Sequence, residues 1–171
     1  MTKRSFGIMI VLLLQNNSPL QGQNRMINYR KANQNELETI MSLVVRTFTG
    51  EQGIPEELNY LPQEKEPRWY CAEENGHIIG AVAFFRDRGN WHAGRFALEP
   101  AYRGRNIGTN LAAFALRDMF DSGICEIVME GRPATVHILT KLGAETTGKE
   151  FPFYASTCTP MRLTCERFYE A

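Results

Sequence analysis

The spacing of apolar residues divides the chain into short segments with two different periods. In some segments apolar side chains recur every three or four positions, or a Pro opens a first turn, and both patterns predict helices. The predicted helices span residues from about 35 to 50, 55–60, 109–121 and 133–142. Short apolar runs bounded by turn residues predict strands. The predicted strands span residues 27–32, 68–72, 78–85, 91–98, 125–129, 145–151 and 159–166.

Turn residues fix how these elements follow one another. Asn33 or Asn35 is expected to cap the first helix. Asn75-Gly76 joins two strands, and this dipeptide favours the type I′ turn of a β-hairpin. Antiparallel strands therefore come first, and a strand–helix–strand unit follows. This order predicts a single α/β domain with a mixed sheet.

Composition limits the classes of protein that the chain can belong to. Its 171 residues, 43% apolar and 22% charged, are typical of one globular domain. The formal net charge is zero, so nothing favours binding to nucleic acid or to an anionic membrane. The four cysteines form no CxxC pair and have no nearby His, which favours reduced thiols and predicts no metal site.

The segment from Phe96 to Thr109 is the most informative part of the chain. It reads as an apolar strand, a break at Pro100, a short basic loop containing glycine, and the start of a helix. Such a loop can direct successive backbone N–H groups into one concavity, and the helix N-terminus adds partial positive charge. The segment therefore predicts a binding site for a phosphate or pyrophosphate.

This loop resembles the acyl-CoA-binding signature of the GCN5-related N-acetyltransferases (GNAT). Asn106 stands where the second glycine of the signature is expected, and Asn tolerates a left-handed backbone well. The resemblance implies acetyl-CoA as co-substrate, with backbone N–H groups of a splayed strand at Phe96–Leu98 facing the pantetheine and thioester. The cofactor-binding residues that it implies are Ala97, Leu98, Arg103, Gly104, Arg105, Asn106, Ile107, Gly108 and Thr109.

Two further segments resemble the same family. Thr140–Glu145 is similar to its Tyr-x-Lys-Leu-Gly-Phe segment, and Phe48–Glu57 is similar to a Phe-x-x-Glu-Gln-x-x-Pro-x-Glu run of bacterial ElaA-like and YjcF-like members. The resemblance covers residues from about 26 to 168. It implies the GNAT acyl-CoA N-acyltransferase fold, a central mixed β-sheet with helices on both faces.

Residues for proton transfer are harder to assign. Glu99 and Glu130 end the two central strands, where sites in α/β sheets open, and are the candidate bases. Glu51 is a third candidate, although capping a helix or bonding a loop is its expected role. Leu139 occupies the position at which the family usually has a Tyr acid, so either Tyr154 or Cys158 substitutes for it or the thiolate leaves unassisted.

These patterns predict an acyl-CoA-dependent N-acyltransferase that acetylates a primary amine of a small molecule or peptide by direct attack. The loss of the usual acid at Leu139 leaves a non-catalytic acyl-CoA-binding or regulatory module as the alternative, and a synthase using acyl carrier protein as a third reading. Residues 51–74 carry an excess of acidic side chains, which form either an acidic rim for cationic acceptors or a solvated loop. Both a monomer and a homodimer are consistent with the sequence.

Residues 1–25 are interpreted separately. Lys3-Arg4 and the nine apolar residues that follow resemble the start of a signal peptide, but no clear cleavage site comes after them. We interpret residues 1–25 as an upstream extension, with the domain at 26–171. Because acetyl-CoA is drawn from the cytosolic pool, a cytoplasmic location is expected.

Removal of residues 1–25 is expected to leave a folded protein that still binds CoA, because the first predicted strand begins after Met26. Thermal melting and calorimetric titration with CoA compare the two forms. A drop of several degrees in Tm on truncation would show that the apolar segment packs against the domain.

Overall fold

The computed structural model describes residues 26–171, so the interpretation of residues 1–25 lies outside the described part of the chain. Eight strands form one mixed sheet in the order β1-β2-β3-β4-β5-β8-β6, and β7 pairs with β8. Their bounds are β1 Ile27–Lys31, β2 Arg68–Glu74, β3 His77–Asp87, β4 Asn90–Leu98, β5 Glu126–Gly131, β6 Glu145–Thr146, β7 Phe151–Phe153 and β8 Ser156–Thr164. Every pairing is antiparallel except that between β4 and β5.

Four α-helices cover the two faces of this sheet. They are α1 Leu37–Val45, α2 Ile107–Asp121, α3 Pro133–Lys141 and α4 Cys165–Glu170. Helix α1 packs its apolar side chains on Ala81 and Ala97 of the central strands. The other three helices contribute to a larger core on the opposite face, against side chains such as Val82 and Phe84. Neighbouring residues of a strand point to opposite faces, so β3 serves both cores, and the expected placement of helices on both faces is confirmed.

Short helical turns complete the first helical segment and the loop after it. Helix α1 is preceded by a 3₁₀ turn at Gln34–Glu36 and continues as π-helical turns at Arg46–Glu51. The predicted short helix after Pro55 is a 3₁₀ turn at Glu56–Leu58, and a second one follows at Gln63–Lys65. The backbone N–H of Asn33 donates to the Glu36 carboxylate at 2.7 Å, so Asn33, one of the two expected caps, begins the helix.

The predicted hairpin between β2 and β3 is present, with Asn75 and Gly76 both at positive φ (51° and 80°) as a type I′ turn requires. Pairing between β3 and β4 then shifts in register. Ala81 pairs with Ala97 and Ala83 pairs with Gly94, so β4 carries one residue more than β3 across this interval. The extra residue forms a β-bulge, and Arg95 within it has a left-handed backbone at φ 54°.

Strand β4 separates from β5 soon after the two strands begin to pair. The parallel pairing consists of His92 with Val128 and Ala93 with Met129. The rest of β4, from Gly94 to Leu98, pairs with β3 alone. One edge of β4 therefore faces a gap between the central strands, which is the splay that the resemblance implies.

Several predicted boundaries were wrong. Helix α2 begins at Ile107, two residues before the predicted start at Thr109. The predicted strand at 145–151 is two short strands, β6 and β7, and the strand predicted at 159–166 ends at Thr164. The chain then turns into helix α4, which Thr164 caps by accepting a hydrogen bond from the N–H of Arg167 at 3.4 Å. At six residues, this helix is too short to show a helical period in the sequence.

Among residues 26–171, no helix has a stretch that is both long and apolar enough to cross a lipid bilayer.

Gly143→Ala is expected to destabilise the protein by several kcal/mol. Gly143 has φ 92°, and a Cβ there would lie 2.5 Å from the carbonyl oxygen of Arg167 in α4, where backbone cannot move aside cheaply. Gly50→Ala is the matched control, because its φ is ordinary and its Cβ would meet no atom within 4 Å. Chemical denaturation measures both; equal unfolding free energies for the two variants would contradict the expected clash.

Candidate active site

A cleft of about 810 Å³ opens where β4 and β5 separate. Strand β4 lines it from His92 to Leu98, β5 lines it with Met129 and Glu130, and helices α2 and α3 border it. Much of the wall is apolar, and its aromatic members are Phe48, Phe84, Phe85, Phe96 and Phe153. A cleft of this size at the opening of a central sheet is where substrates usually bind in such folds.

The loop that enters α2 presents its backbone to this cleft. Asn106 has φ 59° and ψ 5°, so it supplies the left-handed residue that the sequence predicts at this position. The N–H groups of residues 106–109 have no hydrogen-bond partner within residues 26–171, whereas the N–H of Arg105 closes the turn at Arg103-Gly104. Helix α2 is fifteen residues long, and its N-terminus adds partial positive charge. The donors and charge therefore fit the phosphates of CoA.

Some predicted cofactor residues line the cleft, and two do not. Those lining it are Ala97, Leu98, Arg103, Gly104, Asn106, Gly108 and Thr109. Ile107 is buried beneath the loop. The Arg105 guanidinium stacks on the Tyr102 ring, with 5.3 Å between the guanidinium carbon and the ring centroid. The roles of these residues towards CoA stay predictions.

Side chains of the loop anchor it to the rest of the domain. Arg103 donates from both terminal nitrogens to the Glu51 carboxylate at 2.8 and 2.9 Å, which lowers the pKa of Glu51. Its Nε donates to the carbonyl of Leu98 at 3.0 Å. The Tyr102 hydroxyl donates to the buried Glu74 carboxylate at 2.7 Å. Glu51 therefore bonds the loop, as expected, and Arg103 holds the loop in place.

The two candidate bases occupy different surroundings. The Glu99 carboxylate pairs with the Arg46 guanidinium, and Glu99 is not among the residues that line the cleft. Glu130 lines the cleft and has no ion-pair partner in the described part of the chain. The other cleft carboxylates, Glu51 and Asp87, pair with Arg103 and Lys65. The structure thus brings Glu130 to the cleft and leaves Glu99 outside it.

The two candidate acids also differ in their position relative to the cleft. Tyr154 is 50% exposed, packs its ring on Phe153 and does not line the cleft. Cys158 is 5% exposed and lines the cleft, and burial raises the pKa of its thiol. Leu139 also lines the cleft while packing in the larger core. Cys158 is therefore the candidate acid that the structure brings to the cleft.

The acidic segment 51–74 does not form a rim around the cleft. Among its acidic side chains only Glu51 lines the cleft within the described residues, and Arg103 neutralises it. Glu73 pairs with Arg30, and Glu56 accepts a hydrogen bond from Tyr60 at 2.9 Å. This lining favours the other interpretation of the segment, a solvated acidic loop.

Three side chains of the cleft were assigned no role from the sequence. Arg95 reaches the cleft from the bulge, and the buried Gln52 Oε1 has no hydrogen-bond partner within residues 26–171. The third, Arg132, lines the cleft and donates from Nη2 to the carbonyl of Phe153 at 3.3 Å. Gln52 lies in the Glu-Gln run already noted, whereas no local signal marks Arg95.

Within residues 26–171, no three His, Cys, Asp or Glu side chains converge as metal ligands do.

The chain belongs to the acetyltransferase (GNAT) family, whose model matches residues 37–144, more than half of its length. This confirms the resemblance drawn from the loop. It places the protein in the class of acyl-CoA-dependent N-acyltransferases. No curated protein matches the sequence closely enough to count as a relative.

Solved structures of low sequence identity share the fold. FeeM, an N-acyl amino acid synthase from uncultured soil microbes, is 13% identical with a TM-score of 0.70, covering 85% of this chain and 94% of its own. Escherichia coli ElaA is 14% identical with a TM-score of 0.66, covering 80% and 99%. The PaiA N-acetyltransferase of Thermoplasma acidophilum, in complex with coenzyme A, is 17% identical with a TM-score of 0.61, covering 81% and 99%.

Gly104→Glu is expected to weaken CoA binding at least about tenfold, because it adds bulk and negative charge where the phosphates are expected. Gly89→Glu is the matched control: both glycines have positive φ (75° and 86°) and open space around the Cβ, but Gly89 lies in the turn at the other end of β4. Calorimetric titration with CoA measures both variants. Equal affinities would mean that the phosphates bind elsewhere.

Proposed function

We propose that the protein transfers an acetyl group from acetyl-CoA to a primary amine of a small molecule or peptide, by direct attack of the amine. The observation that carries this proposal is that the free backbone N–H groups at Asn106, Gly108 and Thr109 and the unpaired carboxylate of Glu130 lie on one cleft. Acetyl-CoA supplies the acyl group as an activated thioester. The described residues then have to bind, orient and move protons.

Binding of the co-substrate is assigned to the backbone. The N–H groups of residues 106–109 hold the phosphates, and the unpaired edge of β4 at Phe96–Leu98 faces the pantetheine and the thioester. Backbone donors from the same edge stabilise the negative charge that grows on the carbonyl oxygen during attack.

Glu130 is assigned as the base. An alkylamine is mostly protonated at neutral pH, so it must lose a proton before its lone pair can form the new N–C bond. Glu130 receives this proton directly or through a water molecule. Its freedom from any Arg or Lys partner in the described residues leaves both oxygens available for the task.

Cys158 is assigned as the acid. As the N–C bond forms, the C–S bond of the thioester breaks and its electron pair goes to the sulfur of CoA. Burial raises the pKa of Cys158, so its thiol is protonated at neutral pH and shares its proton with the departing thiolate through a hydrogen bond. The proton that Glu130 took from the amine passes to solvent, and solvent protonates the CoA thiolate, so both side chains return to their starting state.

A non-catalytic acyl-CoA-binding module is the second candidate, and Leu139 favours it. The position at which the family usually has a Tyr acid holds a buried leucine in this chain. Such a module would bind CoA through the same loop and release no product.

A cytoplasmic location is part of the proposal, since both versions draw on the cytosolic CoA pool. The proposed partners are acyl-CoA and the amine acceptor. The assembly, monomer or homodimer, is a separate question for sedimentation.

Glu130→Gln is expected to lower kcat about 100-fold and Cys158→Ala to lower it about tenfold or more, since positioned proton transfer contributes on this scale. The measurement is formation of N-acetyl product and free CoA, by mass spectrometry, across a panel of amines. Calorimetric CoA affinity should stay unchanged in both variants.

Glu99→Gln makes the same chemical change as Glu130→Gln, and Tyr154→Phe removes the hydroxyl of the other candidate acid; both are controls, because neither residue lines the cleft. Both are expected to keep most of the turnover. Loss of turnover in these two variants, with Glu130→Gln and Cys158→Ala unaffected, would reverse the assignment. Absence of product from the wild type with every amine, despite tight CoA binding, would favour the non-catalytic module.

A further inference from the structure

Arg95 occupies a special position in the cleft. It lies in the bulge of β4, three residues before Leu98, and therefore about 10 Å along the strand from the start of the loop that enters α2. Its left-handed backbone, φ 54°, is uncommon for a residue with a long side chain. The bulge redirects this side chain, which lines the cleft.

One edge of the Arg95 guanidinium is bonded to the protein. Nε donates to the carbonyl of Asn59 at 3.0 Å, and Nη2 donates to the carbonyl of Leu58 at 2.9 Å. The guanidinium also lies over the Phe85 ring, 5.3 Å from its centroid. These contacts fix the plane and direction of the group, so it is preorganised before any ligand arrives.

No carboxylate neutralises Arg95. None of the aspartates and glutamates of residues 26–171 forms an ion pair with it, and residues 1–25 contain no Asp or Glu. Its surroundings also lower its pKa through burial. A partly buried cation without a counter-charge is costly to the folded protein. A cationic side chain of this kind commonly binds an anionic group of a ligand.

The second edge of the guanidinium is free. Arginine has five N–H donors in a planar fork, and the edge formed by Nη1 and the second N–H of Nη2 has no partner within residues 26–171. This edge matches the two oxygens of a carboxylate. Within residues 26–171, the other charged side chains of the cleft without an ion-pair partner are Arg132, Lys141 and Glu130, and Glu130 would repel an anion that bound beside it.

We propose that Arg95 binds a carboxylate of the acceptor, so that the acceptors are amines that also carry a carboxylate, as free amino acids do. This inference rests on the proposed function and narrows its acceptor. In an α-amino acid the amine and the carboxylate share one carbon atom. A carboxylate held at Arg95 therefore keeps the amine near the bulge, beside the unpaired edge of β4.

The competing reading is that Arg95 only anchors the loop at Leu58 and Asn59. The two readings differ in what they predict for matched acceptors. A loop anchor serves all acceptors alike, whereas a carboxylate receptor serves only those that carry the charge.

The test uses the twenty L-amino acids as acceptors, each paired with its own carboxamide. The wild type is expected to acetylate at least one amino acid with a lower KM than its carboxamide. Arg95→Gln is expected to raise KM for that amino acid roughly 10- to 100-fold and to change KM for the carboxamide less than about threefold. Comparing variant with wild type for each acceptor cancels the different basicities of the two amines.

Three further variants separate the role of the free edge of the Arg95 guanidinium from the role of its bonded edge. Arg95→Lys keeps the charge without the fork, so it should restore part of the preference for the carboxylate. Asn59→Ala removes the hydrogen bond from Asn59 Nδ2 to Thr49 at 2.9 Å and loosens the loop, so it should affect both acceptors of a pair equally. Arg86→Gln removes a cation that does not line the cleft and should change neither.

Calorimetric binding of the amino acids and carboxamides to the CoA-bound protein gives a second readout that needs no turnover. If no acceptor reacts, the proposed function fails, and a selective loss of amino acid binding in Arg95→Gln would still support the carboxylate site. Equal effects of Arg95→Gln on both members of every pair, in kinetics and in binding, would overturn the inference.

Discussion

The separation of β4 from β5 after two paired residues is the constraint on which the rest of the structure depends. A continuous parallel pairing would satisfy both strand edges and leave no opening in the sheet. The separation leaves the edge of β4 from Gly94 to Leu98 without a neighbour. Unpaired backbone groups in a half-buried place have to find other partners. The cleft, and the expected binding of a ligand in it, follow from these unpaired backbone groups.

The bulge at Arg95 lies within the unpaired edge of β4 and alters the strand there. One extra residue in β4 shifts its pairing with β3 and bends the strand away from β5. The loop after β4 is then held by contacts from three directions: Arg103 to Glu51 at the end of the first helical segment, Arg103 to Leu98, and Tyr102 to Glu74 in β2. Side chains perform the anchoring, and the backbone N–H groups of residues 106–109 have no hydrogen-bond partner within residues 26–171.

Local patterns in the sequence predicted most helices and strands and the loop before α2. Turns and helix starts depend on residues that are neighbours in the sequence, so a short segment is enough to predict them. Asn106 is an example, since its tolerance of positive φ is a property of the residue itself. The bulge was not predictable, since it arises from the register between two strands and Arg has no preference for a left-handed backbone. The choice between Glu99 and Glu130 likewise depended on a distant residue, Arg46, that neutralises only one of them.

Under the proposed function, the two halves of the cleft recognise ligands by different means. The co-substrate side uses backbone N–H groups, which any sequence of suitable conformation supplies, and this agrees with a fold shared at 13–17% identity. The proposed acceptor side uses the side chain of Arg95, which bonds to Leu58 and Asn59 rather than to the loop that enters α2. On this proposal, acceptor choice is encoded in residues outside the family signature. An uncompensated guanidinium fixed at the bulge is such a residue, because its cost to the folded protein is offset only when an anionic acceptor binds.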